Sequence, residues 1–239
     1  MARKNICIIP ARGGSKRLPK KNIVDFFGKP LLAYTIEAAL GSKLFGNDIY
    51  VSSDAEEVLA VARAYPGIQR IKRPQAISGD EATLEDACLH LLDSLPERQF
   101  ELLALLMPNC PLRTSEDVVA SHRQFCGADA QCMISVIDYH WLYPFWALQE
   151  TNNRLTHFFG KQYLIDSKNL PQDVYCPSGA VWWVRVDNFR KEKNFYGAEL
   201  MKYEIPFERG VDIDTHHNLA LAKKFHPLVY PSKGERSEY

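Results

Sequence analysis

Short apolar runs alternate with helical patterns along most of this chain. Residues 102–107 form an uninterrupted apolar run, which is typical of a central strand buried on both faces of a sheet. Six further strands are predicted at residues 5–9, 48–54, 69–72, 132–137, 180–186 and 201–205, and six helices at residues 31–40, 55–65, 82–95, 118–125, 186–193 and 217–225. This alternation predicts an α/β fold with a single doubly wound, mostly parallel sheet covered by helices on both faces.

Composition and net charge restrict the kinds of molecule that this protein can bind. The 239 residues are 46% hydrophobic and 24% charged, as in ordinary globular domains, and the formal net charge is zero. Zero net charge argues against general binding to nucleic acid or to a membrane surface, so we expect neither partner. The six cysteines contain no C-x-x-C pair, and no signal peptide is visible, so we expect free thiols and a cytoplasmic location.

A basic loop, residues 10–22, follows the first predicted strand. Gly13 and Gly14 allow a sharp turn that presents backbone N–H groups, and Ser15 adds a hydroxyl. Five cationic side chains lie in the same stretch: Arg12, Lys16, Arg17, Lys20 and Lys21. Residues 1–30 carry eight Lys or Arg and one acid, so this segment is +7 and the remaining 209 residues are −7. The loop therefore predicts a binding site for a polyphosphate.

The basic loop matches neither of the two best-known phosphate motifs, G-x-x-x-x-G-K-[ST] and G-x-G-x-x-G. A solvated basic turn is the alternative interpretation, because Gly-Gly-Ser and lysine-rich turns are common at protein surfaces. The position of the loop favours ligand binding, since α/β sheets bind ligands at the carboxyl ends of their strands.

Two carboxylates near the end of the chain could hold a cation. Asp212 and Asp214 are one residue apart, so on a strand they would point to the same face. Mg²⁺ prefers carboxylate, water and phosphate oxygens, which makes it the expected metal. The alternative is that one of the pair caps the helix predicted to begin near His217.

Several segments carry a family resemblance. The run I-I-P-A-R-G-G-S-K-R-L-P-K-K-N, residues 8–22, resembles the signature of the acylneuraminate cytidylyltransferases. Further similar segments are Asp54, Arg73-Pro74, Pro111-Leu112-Arg113, Ser178-Gly179-Ala180 and Asp212-Ile213-Asp214, so the resemblance spans nearly the whole chain. It implies a Rossmann-like nucleotidyltransferase fold and a Mg²⁺-dependent reaction of CTP with a nine-carbon 2-keto sugar acid, giving the CMP-sugar and pyrophosphate.

The resemblance also implies roles for individual residues. The expected catalytic residues are Arg12, Lys21 and Asp214. The expected nucleotide contacts are Arg12, Gly13, Ser15, Lys16, Lys21, Asn22, Arg73, Ser78 and Asp80. Asp212 and Asp214 would hold the metal, and either Asp214 or a metal-bound hydroxide would be the base. Judged from the sequence alone, Arg73 could equally be a surface charge, and Asp54 could equally cap the helix after it.

The expected sugar contacts are Met107, Asn109, Arg113, Lys168, Tyr175, Ser178 and Gly179. Several of them depart from the family. The usual Q-P-T-S-P-L-R reads M-P-N-C-P-L-R at residues 107–113, and the usual N-G-A reads S-G-A at residues 178–180. The sugar is therefore left open between N-acetylneuraminate, legionaminate and pseudaminate. Two rival functions are a cytidylyltransferase for the eight-carbon acid Kdo and a nucleotide-binding regulatory module without catalysis.

Residues 138–175 interrupt the alternating pattern. Aromatic residues crowd this segment without helical periodicity, which predicts an inserted arm or small β-rich subdomain. Such an arm packs on its own domain or on a partner, and the resemblance favours a homodimer in which it covers the neighbouring active site. The predicted core is therefore residues 1–137 and 176–232, with a mobile tail at residues 233–239.

Overall fold

A computed structural model describes residues 4–96 and 99–231. The tail predicted at residues 233–239 lies outside the described residues. The strands are β1 Asn5–Pro10, β2 Asp25–Phe26, β3 Lys29–Pro30, β4 Ile49–Ser53, β5 Ile68–Lys72, β6 Leu102–Leu105, β7 Cys132–Asp138, β8 Leu148–Thr151, β9 Arg154–His157, β10 Tyr175–Arg185 and β11 Leu200–Glu204. The helices are α1 Leu31–Ser42, α2 Glu56–Arg63, α3 Leu84–Asp93, α4 Ser115–Gly127, α5 Val186–Glu192 and α6 His216–Val229.

Seven strands form the central sheet in the order β11-β7-β10-β6-β1-β4-β5. Strand β10 runs antiparallel to both of its neighbours, and the other pairs are parallel. The mostly parallel, doubly wound sheet predicted from the sequence is thus confirmed.

The side-chain alternation of β1 explains why helices cover both faces. Cys7 and Ile9 point into one core, which α1, α2 and α4 complete. Ile6 and Ile8 point into a second core, which α3 and α5 complete. Since strand side chains alternate between faces, a strand that is fully apolar requires a helical layer on each side.

Strand order determines where a ligand crevice can form. From β1 the chain moves outward to β4 and β5, then returns to place β6 on the other side of β1. Connections that leave two neighbouring strands in opposite directions open a crevice at their carboxyl ends. The basic loop after β1 and the segment after β6 flank this crevice.

The predicted arm leaves the sheet between β7 and β10. It contains the β8–β9 hairpin, whose turn residues Asn152 and Asn153 both have positive φ. Some of its aromatic rings pack on one another, as Phe145 does on Tyr163 with ring centroids 4.8 Å apart. Others are exposed, including Trp141 at 73% and Phe158 at 59%. The role of this arm in dimerisation stays a prediction.

Candidate active site

A cavity of about 460 Å³ opens at the carboxyl ends of β1, β5 and β6. Residues from four separated segments line it: Pro10, Arg12, Ser15, Lys16, Arg17, Lys21, Asn22, Arg73, Asp80, Ala82, Thr83, Leu84, Met107, Pro108, Asn109 and Asp214. The cavity thus brings the basic loop near the start of the chain together with Asp214 near its end. Residues 73–84 lie on the β5 side of the basic loop and residues 107–109 on the β6 side.

The basic loop is anchored by Gly13 and Asp54. The Gly13 N–H donates to Asp54 Oδ1 at 2.9 Å, so this N–H is already bonded within the protein. A Cβ on Gly13 would lie 2.6 Å from Ala55 Cβ, which requires glycine for the close approach. Gly13 therefore fixes the loop and lies outside the cavity lining. The helix-cap alternative for Asp54 is wrong, because Ala55 is the N-cap residue of α2.

Four cations of the loop are paired with two carboxylates at the cavity. Arg12 and Lys16 contact Asp80 at 3.4 and 2.5 Å. Arg17 and Lys21 each contact Asp214 at 2.8 Å. Arg17 was not among the predicted site residues, although the basic run that contains it was the available signal.

These ion pairs change the affinity of the two carboxylates for protons. The hydrogen bond and charge of Lys16 hold the pKa of Asp80 below its usual range. Burial alone would raise the pKa of Asp214, but the bonds and charges of Lys21 and Arg17 outweigh it and lower the pKa. Both carboxylates thus stay ionised and neutralise the cations that line the cavity.

Asn22, at the end of the basic loop, and Arg73, directly after β5, are both held by backbone carbonyls at the cavity. The Asn22 side chain is 5% exposed and donates from Nδ2 to the Arg12 carbonyl at 2.8 Å. Its buried Oδ1 has no hydrogen-bond partner among the described residues. Arg73 is 6% exposed and donates to the Ser52 carbonyl at 2.7 Å, so the surface-charge alternative is wrong. Ser78 is also buried, and its hydroxyl donates to the Pro74 carbonyl at 2.8 Å.

The two carboxylates before α6 lie on a segment that forms no strand in the structure, so the argument that strand geometry points them to the same face does not apply. The N–H of buried Ile213 donates to the Asn109 carbonyl at 2.8 Å, which ties this segment to the β6 side. The helix-cap alternative is wrong, because Thr215 caps α6 and pairs with Asn218.

Asp212 and Asp214 have different surroundings. Asp214 lines the cavity. Asp212 Oδ1 accepts from the Cys110 thiol and from the Gly179 N–H, the latter at 3.3 Å. Burial raises the pKa of Asp212, and these two hydrogen bonds oppose the increase. In residues 4–96 and 99–231, no three or more His, Cys, Asp or Glu side chains converge to hold a metal ion, so this part of the chain contains no complete cage of protein ligands.

The predicted sugar contacts fall into two groups. Met107 and Asn109 line the cavity. Arg113 and Ser178 do not reach it: Arg113 is fully buried and donates to the Met107 carbonyl at 2.5 Å, and the Ser178 hydroxyl donates to the Gly210 carbonyl at 2.8 Å. The structure thus corrects both predictions and places these side chains beneath the site.

The other three predicted sugar contacts lie outside the lining of this chain's own cavity. Gly179 packs so closely on Met107 that a Cβ there would lie 2.2 Å from the sulfur atom. Lys168, in the arm, is exposed and pairs with Asp166 at 3.3 Å. Tyr175 begins β10, and Lys202 Nζ lies 3.5 Å from the centroid of its ring.

Comparisons with known proteins agree with this geometry. A family model described as cytidylyltransferase matches residues 6–101. Over 231 residues the chain is 30% identical to a pseudaminic acid cytidylyltransferase of Campylobacter jejuni, covering 96% of this chain and 99% of the relative. It is 33% identical over 224 residues to an N-acylneuraminate cytidylyltransferase of Escherichia coli, covering 93% of this chain and 52% of that protein.

The fold also matches solved structures. A CMP:2-keto-3-deoxy-manno-octonic acid synthetase complexed with CTP superposes with a TM-score of 0.68 at 16% identity, covering 94% of this chain and 99% of that one. At this identity the match concerns the fold. The sequence relatives show that the chain belongs to the acylneuraminate cytidylyltransferase family of nucleotidyltransferases.

Proposed function

We propose that this enzyme transfers CMP from CTP to a nine-carbon 2-keto sugar acid and releases pyrophosphate. One observation carries the proposal: a single cavity joins the cationic loop after β1 to Asp214 near the other end of the chain. The relatives named for pseudaminic acid and N-acylneuraminate support this class of acceptor.

The triphosphate would bind along the basic loop. Arg12, Lys16 and Lys21 already face carboxylates across the cavity, so phosphate oxygens can replace those carboxylates as their partners. Ser15 adds a hydroxyl at the same surface. Phosphoryl transfer needs mainly in-line positioning and neutralisation of charge, and both are within reach of such a loop.

The nucleoside would bind on the β5 side. The unpartnered Oδ1 of Asn22 is a buried acceptor that a ligand donor could satisfy, since buried polar atoms in proteins are normally hydrogen-bonded. Arg73 is held rigidly by Ser52, and Ala82 and Leu84 provide an apolar surface for a small base. These features support a pyrimidine nucleotide such as CTP.

Mg²⁺ would be held by Asp212 and Asp214. Their oxygen donors suit this cation, which usually takes one or two carboxylates and completes its shell with water and substrate phosphates. When bound, it would supply charge neutralisation at the reacting phosphate. Asp214 would give up Lys21 and Arg17 as partners, which frees both cations for the triphosphate.

In the chemical step, the anomeric hydroxyl oxygen of the acid attacks the α-phosphorus of CTP. The new O–P bond forms as the bond between the α-phosphorus and the bridging oxygen breaks, and pyrophosphate leaves with that oxygen. The hydroxyl proton would pass to a base, for which the Asp214 carboxylate lies in the same cavity. Lys21 is the most enclosed of the loop's paired cations, with a side chain 18% exposed. A cation in such a position stabilises developing negative charge more strongly than one in water.

The arm would complete a homodimer in the cytoplasm. Its exposed apolar side chains, such as Trp141 and Phe158, support burial against a second copy. Lys168 would then meet the acid's carboxylate in the partner's cavity. All six cysteines lie within the described residues and are free thiols, which fits a reducing compartment. No helix in the described part of the chain has the length and apolar character needed to cross a membrane.

The test is pyrophosphate release from CTP and Mg²⁺ with N-acetylneuraminate, legionaminate, pseudaminate or Kdo. The adjacent lysines offer a matched pair of variants, because Lys21 lines the cavity whereas Lys20 pairs with Glu57 outside it. Lys21→Gln should lower kcat by roughly 10²–10³-fold, and Lys20→Gln, with the same change of charge, should stay within about threefold of wild type. Equal losses in both variants, or turnover with Kdo alone, would refute the proposal.

A further inference from the structure

Cys110 contacts Asp212, one of the two carboxylates proposed to hold the metal. The cysteine is fully buried and packs in a cluster with Ala180 and Ile205. A buried cysteine usually behaves as a small apolar side chain. Here its thiol also donates a hydrogen bond to Asp212 Oδ1, so Cys110 does more than fill the core.

The hydrogen bonds to Asp212 treat its two oxygens differently. Oδ1 accepts from the Cys110 thiol and from the Gly179 N–H, whereas Oδ2 receives neither of these donors. The residue is only partly buried, so its carboxylate is not sealed inside the core. Two donors thus fix one oxygen and leave the other to a cation. Mg²⁺ demands near-ideal octahedral geometry, so the orientation of each carboxylate that binds it matters.

The two groups that fix this carboxylate are themselves held in place. The Cys110 N–H donates to the Met107 carbonyl at 3.3 Å, and the Met107 N–H donates to the Gly179 carbonyl at 3.1 Å. These bonds join the segment after β6 to β10. The main chain next to the carboxylate is tied to the same segment, because the Ile213 N–H donates to the Asn109 carbonyl at 2.8 Å.

Resting on the metal role that the proposed function gives to Asp212, we propose that Cys110 is a positioning residue for metal binding. Its thiol holds Asp212 Oδ1 and thereby orients the carboxylate toward a divalent cation. Cys110 contacts neither the cation nor a substrate and acts only through Asp212. Hydrogen-bonding partners of metal-ligating carboxylates contribute about 10–100-fold to metal affinity, so loss of the thiol should weaken metal binding by about that factor.

The experiment measures Mn²⁺ binding by EPR of the free ion, with the enzyme and CTP present and the sugar acid absent. A titration with CTP alone gives the Mn²⁺ that the nucleotide binds in solution. Cys110→Ala removes the donor, and Cys110→Ser replaces it with a hydroxyl donor of similar size. Cys132→Ala is the matched control, because Cys132 is equally buried but its sulfur contacts the Ala198 carbonyl at 3.7 Å in place of a carboxylate.

Cys110→Ala should raise the Kd for Mn²⁺ by about 10–100-fold. Cys110→Ser should stay within about threefold of wild type because it keeps a donor, and Cys132→Ala should match wild type. Binding of CTP in the presence of EDTA, measured by calorimetry, should be the same in all four proteins, which shows that the site is intact without the metal.

An unchanged Kd for Mn²⁺ in Cys110→Ala, or an equal increase in Cys132→Ala, would overturn the inference and leave the proposed function intact. Wild-type enzyme that binds no Mn²⁺ beyond the CTP blank would refute the metal role of Asp212 and the inference with it. The expected Mn²⁺ affinities, together with no pyrophosphate release from any acid, would support the role of Cys110 and refute the proposed transfer reaction.

Discussion

Replacing Arg113 with alanine should destabilise the fold. The guanidinium is fully buried and donates to the Ala180 carbonyl, to the Thr35 hydroxyl at 3.1 Å and to the Met107 carbonyl at 2.5 Å. The Thr35 hydroxyl also donates to the Met107 carbonyl and can remain bonded, but Ala180 loses a charged donor. An unsatisfied buried acceptor costs about 1–3 kcal/mol, and the cavity left by the side chain adds a similar amount.

We therefore expect Arg113→Ala to lower the free energy of unfolding by about 3–5 kcal/mol. That is a large fraction of the 5–15 kcal/mol typical of a domain. At about 2–4 °C per kcal/mol for a chain of this size, the melting temperature should fall by roughly 6–20 °C. Arg113→Lys keeps the charge but not the planar arrangement of donors, so it should lower the free energy of unfolding by less than Arg113→Ala does.

Urea unfolding followed by circular dichroism measures the loss of stability. Steady-state kinetics at a temperature where the variant is folded gives KM for the sugar acid. If Arg113→Ala changes stability by less than about 1 kcal/mol while KM for the acid rises more than tenfold, then Arg113 contacts the sugar and its assignment as a buried support is refuted.

Three further predictions follow from the site. Asp80→Asn should tighten CTP binding roughly two- to fivefold at low salt, because Arg12 and Lys16 would no longer have to break an ion pair with Asp80 before they bind phosphate. Calorimetry at two salt concentrations measures the CTP affinity. Weaker binding in the variant would mean that Asp80 contacts the nucleotide. Gly13→Ala should cost about 1–3 kcal/mol in urea unfolding through its clash with Ala55, and the added change Ala55→Gly should recover stability. The lowered pKa of Asp214 means that its ionised form stabilises the fold above pH about 4 and that this contribution is lost as the pH falls through the folded-state value. The stability difference between wild type and Asp214→Asn should therefore shrink as the pH falls below about 4, and a difference that stays constant on acidification would contradict this reasoning.

The sheet was predictable because its strands are apolar on both faces. Residues 5–9 and 102–107 could be buried only in the middle of a covered sheet, and they form the adjacent strands β1 and β6. The capping box Thr114–Asp117 at the start of α4 is a pattern of the same local kind, because it depends on residues three positions apart. Such local patterns depend on nearby residues and can be recognised without the fold.

The roles of single polar residues were harder to predict. An arginine that follows Pro-Leu has the same sequence context whether it faces a sugar or is buried beneath the site, and Arg113 is buried. Asp54 bonds the N–H of Gly13 instead of capping its own helix, and Asp80 pairs with Lys16 from 64 positions away. These contacts depend on which strands become neighbours in the sheet, so they cannot be predicted from local sequence patterns.

The ion pairs of the N-terminal segment explain how a neutral protein keeps a concentrated basic site. Lys20 and Lys29 pair with Glu57 and Glu37, which are absent from the cavity lining. The cations inside it pair with Asp80 and Asp214, which do line it. Only the cations paired with Asp80 and Asp214 lie where an incoming anion can replace a carboxylate. Ligand binding therefore changes the partners of these cations and leaves the ion pairs outside the cavity intact. A triphosphate carries several charges in one molecule, which makes it suited to replace two carboxylates at once.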